Sequence, residues 1–81
     1  MHEFALVQDL MEQAVSRMRA EGASRVKSIE LHVGRSSGYS KESLNQAFEI
    51  LAPDSGMGEA KLVMKRVEGT EVVLRRIVLE K

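Results

Sequence analysis

Apolar residues in the first third of the chain fall at Phe4, Val7, Met11, Ala14 and Met18, with Leu10 and Val15 widening the stripe. That three-then-four spacing predicts an amphipathic helix. Gln8, Asp9, Glu12, Gln13 and Arg17 fill its outer face, and Gly22 supplies a left-handed stop after Ala20-Glu21. The period then changes to two. Between Val26 and Val33, Ile29, Leu31 and Val33 alternate with Glu30 and His32, as in a strand with one apolar face. Gly34-Arg35-Ser36-Ser37-Gly38 interrupts it, and Ser40 is placed to cap a second helix over about Lys41 to Leu51. Leu44, Ala47, Phe48 and Leu51 form the stripe of that helix.

After the loop Pro53-Asp54-Ser55-Gly56-Met57-Gly58, residues from Ala60 to Val67 alternate again, with Leu62 and Met64 on one side. Glu68-Gly69-Thr70 reads as a tight turn, which predicts that the last strand returns as a hairpin on the one before it. In that strand Val72 and Leu74 are in one phase, and Ile77 and Leu79 in the other. Either a bulge around Arg75-Arg76 brings all four to one face, or the strand is covered on both sides. The order helix, strand, helix, strand, strand predicts a two-layer α+β domain, in which two helices cover one face of a three-stranded mixed sheet. A strand–helix–strand crossover would make its two strands parallel. No repeat, low-complexity stretch or linker divides residues 1–81.

Composition narrows the chemistry. At 81 residues the core is near the lower limit for independent stability, for which about 5 kcal/mol is a reasonable expectation. Aromatics are few (Phe4, Tyr39, Phe48), so Leu, Val, Ile, Met and Ala must build that core. With no cysteine, disulfides and thiolate zinc or iron–sulfur sites are excluded from this chain. Twelve basic residues balance twelve acidic ones, which argues against a nucleic-acid partner. No apolar run reaches membrane-spanning length and no signal-peptide pattern is present, so a soluble cytoplasmic protein without a membrane partner is expected. Neither a phosphate loop nor a paired-carboxylate motif occurs, and an enzyme is not expected.

Two features could carry function. Arg75-Arg76 with Lys65-Arg66 makes a basic patch, read either as a solvated hairpin that resists edge pairing or as a docking surface for an acidic partner. Of the two histidines, His32 reads as an exposed strand residue beside Glu30. His2 is set apart by its neighbours. The Met1 amine, the His2 backbone nitrogen and the His2 Nδ1 can close two fused chelate rings on one ion. Glu3, through its amide nitrogen or carboxylate, a water or a partner's side chain can supply a fourth position. Nitrogen donors in a plane suit Ni(II) or Cu(II) better than Zn(II) or Mg(II). A bulky second residue is expected to leave Met1 in place.

The stretches "MHEFALVQDLMEQAV", "VKSIELHVGRSSGYSKESLNQAFEIL" and "GEAKLVMKRV" resemble the HypA/HybF family of hydrogenase nickel-insertion accessory proteins. The likeness rests on Met1, His2 and Glu3; on Gly34, Ser37 and Gly38; on Glu42, Leu44, Ala47, Phe48 and Glu49; and on the closing "GTEVVLRRIVLEK". It implies a cytoplasmic nickel metallochaperone that holds Ni(II) at Met1, His2 and Glu3, with His2 the essential ligand. It implies delivery to the large subunit of a [NiFe]-hydrogenase, or to urease in some organisms, together with a HypB-type GTPase. Lys41 stands where relatives commonly have proline. The larger departure is in the connection between the last two strands. There the family carries a zinc domain with two Cys-x-x-Cys pairs, and this chain has Glu68-Gly69-Thr70, so no structural zinc is expected. Three accounts fit that change: a natural short paralogue that still handles nickel, an engineered nickel domain, or a metal-free interaction or regulatory module.

Overall fold

The computed structural model describes residues 2–81. Its elements are α1 (Glu3–Ala20), β1 (Arg25–Gly34), α2 (Lys41–Leu51), a short 3₁₀ turn (Ala52–Asp54), β2 (Lys61–Val67) and β3 (Val72–Glu80). The α+β class, the element order and the mixed three-stranded sheet are as the pattern predicts.

The local signals for α1 and α2 act as expected. Gly22 takes φ +67, with its N–H on the Arg19 carbonyl and the Ala23 N–H on the Met18 carbonyl, which closes the end of α1. At the start of α2 the Ser40 hydroxyl oxygen accepts the Ser43 N–H at 3.0 Å. Val7, Leu10, Met11, Ala14 and Val15 of α1 are buried, as are Leu44, Ala47 and Phe48 of α2. They meet Val26, Ile29, Leu31 and Val33 of β1 in one core. Met57 closes that core from the loop before β2, although nothing in its sequence context marks it as buried.

The hairpin expected across Glu68-Gly69-Thr70 does not form. The strand order is β2-β1-β3, with β1 parallel to β2 and antiparallel to β3. The connection from Glu68 to Glu71 instead passes over the end of β1, where Gly34 donates to the Glu71 carbonyl and Ser36 to the Gly69 carbonyl. The cause is burial. β1 is the most apolar strand on its core face and gains most from pairing on both edges, whereas β2 and β3 carry the cations suited to exposed edges.

Two irregularities keep the apolar residues facing the helices. Glu30 pairs with Arg76 and Leu31 with Leu74, so Arg75 is an extra residue in β3. This is the bulge alternative, and Val72, Leu74, Ile77 and Leu79 all pack against the core. Lys27 is a second extra residue, in β1, since Val26 pairs with Leu79 and Ser28 with Val78. It lets Val26 share the core face with Ile29. One expectation for α1 is corrected. Phe4 lies in register with the stripe but is 49% exposed, because it sits one turn beyond the part of the helix that α2 and the sheet cover.

Candidate functional site

His2 is the residue immediately before α1, and its carbonyl accepts the first helical bond, from the Leu6 N–H at 2.9 Å. The N–H groups of His2, Glu3, Phe4 and Ala5 precede that bond and have no place in the helical ladder. The His2 side chain is exposed and makes no capping hydrogen bond. Among the described residues no capping partner holds the imidazole, and it stands beside backbone nitrogens that can be deprotonated without breaking a helical bond.

Glu3 is half-buried in the first turn of α1, where its charge is favoured by the positive end of the helix dipole. It lines a shallow groove between the start of α1 and α2, with Phe4, Gln46, Glu49 and Ile50. Glu49 is the acidic residue of the Ala47-Phe48-Glu49 run, and sequence alone gave no sign that it faces the same groove as Glu3. The only hint was apolar residues with no core to join: Phe4 at 49% and Ile50 at 61% exposure form the rim. Among the described residues, no three His, Cys, Asp or Glu side chains gather to hold a metal. A site here therefore depends on backbone nitrogens as well as on His2 and Glu3. Met1, named as a ligand from the sequence, lies outside the described residues.

The other candidates resolve differently. His32 is only part-exposed, and its Nε2 lies 3.0 Å from a Glu30 carboxylate oxygen on the sheet face away from the helices. The basic patch is divided by β1: Lys65 and Arg66 lie on β2, Arg75 and Arg76 on β3. Arg66 donates to the Tyr39 carbonyl at 2.9 Å and steadies the loop before α2. Arg75 and Arg76 both border the open cleft between α1 and the outer edge of β3, where Asp9, Glu12 and Gln13 line the other wall. No helix among the described residues is long and apolar enough to cross a membrane.

Comparison with known proteins places this arrangement. The hydrogenase maturation factor HypA of Chlorobium luteolum is 35% identical over 69 residues, covering 85% of this chain and 59% of the relative. That of Solidesulfovibrio magneticus is 35% identical over 75 residues, covering 93% and 62%. The chain thus spans about three-fifths of the length of these relatives. The solution structure of the Ni metallochaperone HypA from Helicobacter pylori superposes with a TM-score of 0.72 at 14% identity, covering 100% of this chain and 95% of that one, a likeness of fold. The family model described as "Hydrogenase/urease nickel incorporation, metallochaperone, hypA" matches residues 1–72, and the chain belongs to the HypA family.

Proposed function

We propose that this protein is a nickel carrier that binds Ni(II) through Met1, His2 and Glu3, and releases it to a maturing [NiFe]-hydrogenase or urease. The observation that carries the reading is the state of His2. Its imidazole is exposed and uncapped, next to amide nitrogens free of the helical ladder. Coordination by the Met1 nitrogen, the His2 amide nitrogen and the His2 Nδ1 gives a five- and a six-membered ring, and Glu3 completes or steadies the fourth position. A cation at the positive end of a helix is opposed by about 0.3–1 kcal/mol. Deprotonated amide nitrogens and the Glu3 carboxylate offset that cost.

The mechanism is exchange of ligands. An ion held beside the exposed His2 side chain can be approached from the side away from α1, and a partner's donors can replace the chain's own one at a time. Such a carrier must release its cargo, so binding near micromolar, roughly −8 kcal/mol, suits it better than picomolar binding. A HypB-type GTPase and a hydrogenase large subunit are the partners this reading assigns, in the cytoplasm. The domain needs no structural zinc on this account, since four residues suffice to join β2 to β3 and the core is built by the helices and the sheet without them.

Calorimetric titration with Ni(II) tests the proposal on three proteins: the chain as given, His2→Ala, and the chain extended by several residues before Met1. The first should bind one ion and the other two should lose binding by at least about tenfold, since each lacks one donor of the chelate. Equal binding by all three would overturn the terminal site and favour the metal-free module.

A further inference from the structure

The helices cover one side of the sheet, and the opposite side lies open as a regular grid. Residues paired across β2, β1 and β3 share a face, which places Lys61, Ser28 and Val78 in one row. Val63, Glu30 and Arg76 form the next row, and Lys65, His32 and Val73 the third. Their neighbours in sequence, Leu62, Met64, Leu74 and Ile77, pack on the core side, which fixes the facing of these nine. Val63 at 48% and Val73 at 39% exposure are apolar side chains that nothing covers. The grid holds three cations, Lys61, Lys65 and Arg76, and one carboxylate, Glu30, which is engaged by His32.

The same sign runs through the layer. The formal charge of the whole chain is zero, yet the three strands carry seven Lys or Arg against two Glu. The two helices carry five Asp or Glu against three Lys or Arg. A neutral molecule has thus been sorted into a basic sheet and an acidic helical layer. We propose that the open sheet face is a docking surface for an acidic protein segment in extended form, carrying apolar residues between its carboxylates. Charge complementarity selects the sign: carboxylates would meet Lys61, Lys65 and Arg76, and apolar side chains would rest on Val63, Val73 and Val78. Lys61 and Lys65 are about 13 Å apart along β2, the reach of four strand residues, so carboxylates at positions i and i+4 of an extended segment match them. Three strands by seven paired residues present on the order of 300 Å², well below the ~800 Å² per partner of a stable complex. The contact is therefore transient.

The inference does not depend on nickel, and its test reads a different part of the molecule. The probe is a synthetic peptide in which Thr alternates with Glu and Val in turn, so that one face of the strand reads Glu-Val-Glu-Val-Glu. Titrated into the isotope-labelled chain, it should shift backbone amide resonances of 28–33, 61–65 and 73–78 and leave those of α1 and α2 in place. Lys61→Glu/Lys65→Glu/Arg76→Glu should weaken binding at least about tenfold, with nickel titration unchanged. If that variant fails to fold, Lys61→Gln/Lys65→Gln/Arg76→Gln removes the charge without adding repulsion and should weaken binding several-fold. A peptide with Gln for Glu binding equally well would overturn the proposal. So would shifts that map to the helices, or preferential binding to phosphatidylserine vesicles. Dilution-dependent shifts on the same face without peptide would make the occupant a second copy of the chain and overturn it too.

Discussion

A methyl group on Gly34 would stand 2.4 Å from the carbonyl oxygen of Gly69 and 2.9 Å from that of Glu71. Both are backbone atoms of the connection that crosses the end of β1, so neither can yield as a flexible side chain would. Gly34→Ala is expected to cost about 1–3 kcal/mol, the range for forced overpacking, and to lower the urea midpoint accordingly. Gly38 offers the control. Its φ is +86 but nothing lies within 4 Å of an added Cβ, so Gly38→Ala should cost only the ~1 kcal/mol of left-handed strain. Equal losses in the two variants would mean that the crossing is not tightly packed. Glu21 gives a prediction in pH. The hydrogen bond from the Arg17 guanidinium holds its carboxyl below the ordinary value of 4.5, against slight desolvation. A lowered folded value stabilises the protein above 4.5 and is lost as pH falls through 4.5 and below. Thermal midpoints of Glu21→Gln should therefore depend less on pH below 4.5 than those of the parent chain, and the difference should shrink in high salt. At this scale the proposed nickel ligands rest on local chemistry alone, an imidazole one residue after Met1. The crossing over Gly34 was not, because its partners are thirty-five or more positions away.

Among the elements, those defined by neighbours in sequence were legible and those defined by distant pairing were not. Ser40, Gly22 and the helical stripes act within one turn, and α1, β1 and α2 form where the pattern puts them. Ser40→Ala should accordingly cost about 1 kcal/mol, measured by thermal unfolding. The Glu68-Gly69-Thr70 signal was read correctly as a reversal of direction and wrongly as a hairpin. A reversal and a crossing over one intervening strand look alike locally. The charge pattern could have separated them: five cations stand on β2 and β3, the profile of two edge strands around a buried centre. The bulge at Arg75 yields a sharper test of the register. Deleting Arg75 alone leaves Leu74, Arg76 and Ile77 in strict alternation, so the fold and the core facing should survive with a regular ladder. Deleting Arg75 and Arg76 together would turn Ile77 and Leu79 to the open face and expose them. The single deletion should keep dispersed amide spectra and a cooperative melt, and the double deletion should lose both.

At the scale of the molecule, the connection between β2 and β3 does not hold the layers together. The sheet closes because β1 pairs on both sides and its core face meets both helices, while residues 68–71 only join two edges already fixed by that pairing. The ends they join are two strand spacings apart, about 10 Å, which a short or a long segment can span equally well. A small domain of this topology can therefore tolerate very different inserts at this point. Lengthening a flexible connection from four residues to about twelve costs roughly 1 kcal/mol of closure entropy, beside the ~5 kcal/mol expected of a chain this size. Inserting eight Gly and Ser residues between Gly69 and Thr70 should lower stability by about that amount, plus the loss of the Ser36-to-Gly69 contact. Nickel affinity should be unchanged, because His2 lies at the start of α1 and the proposed chelate uses no atom of the connection. Global unfolding on insertion would show that the short crossing is part of the core. Lost nickel affinity with the fold intact would show instead that the connection communicates with the proposed site.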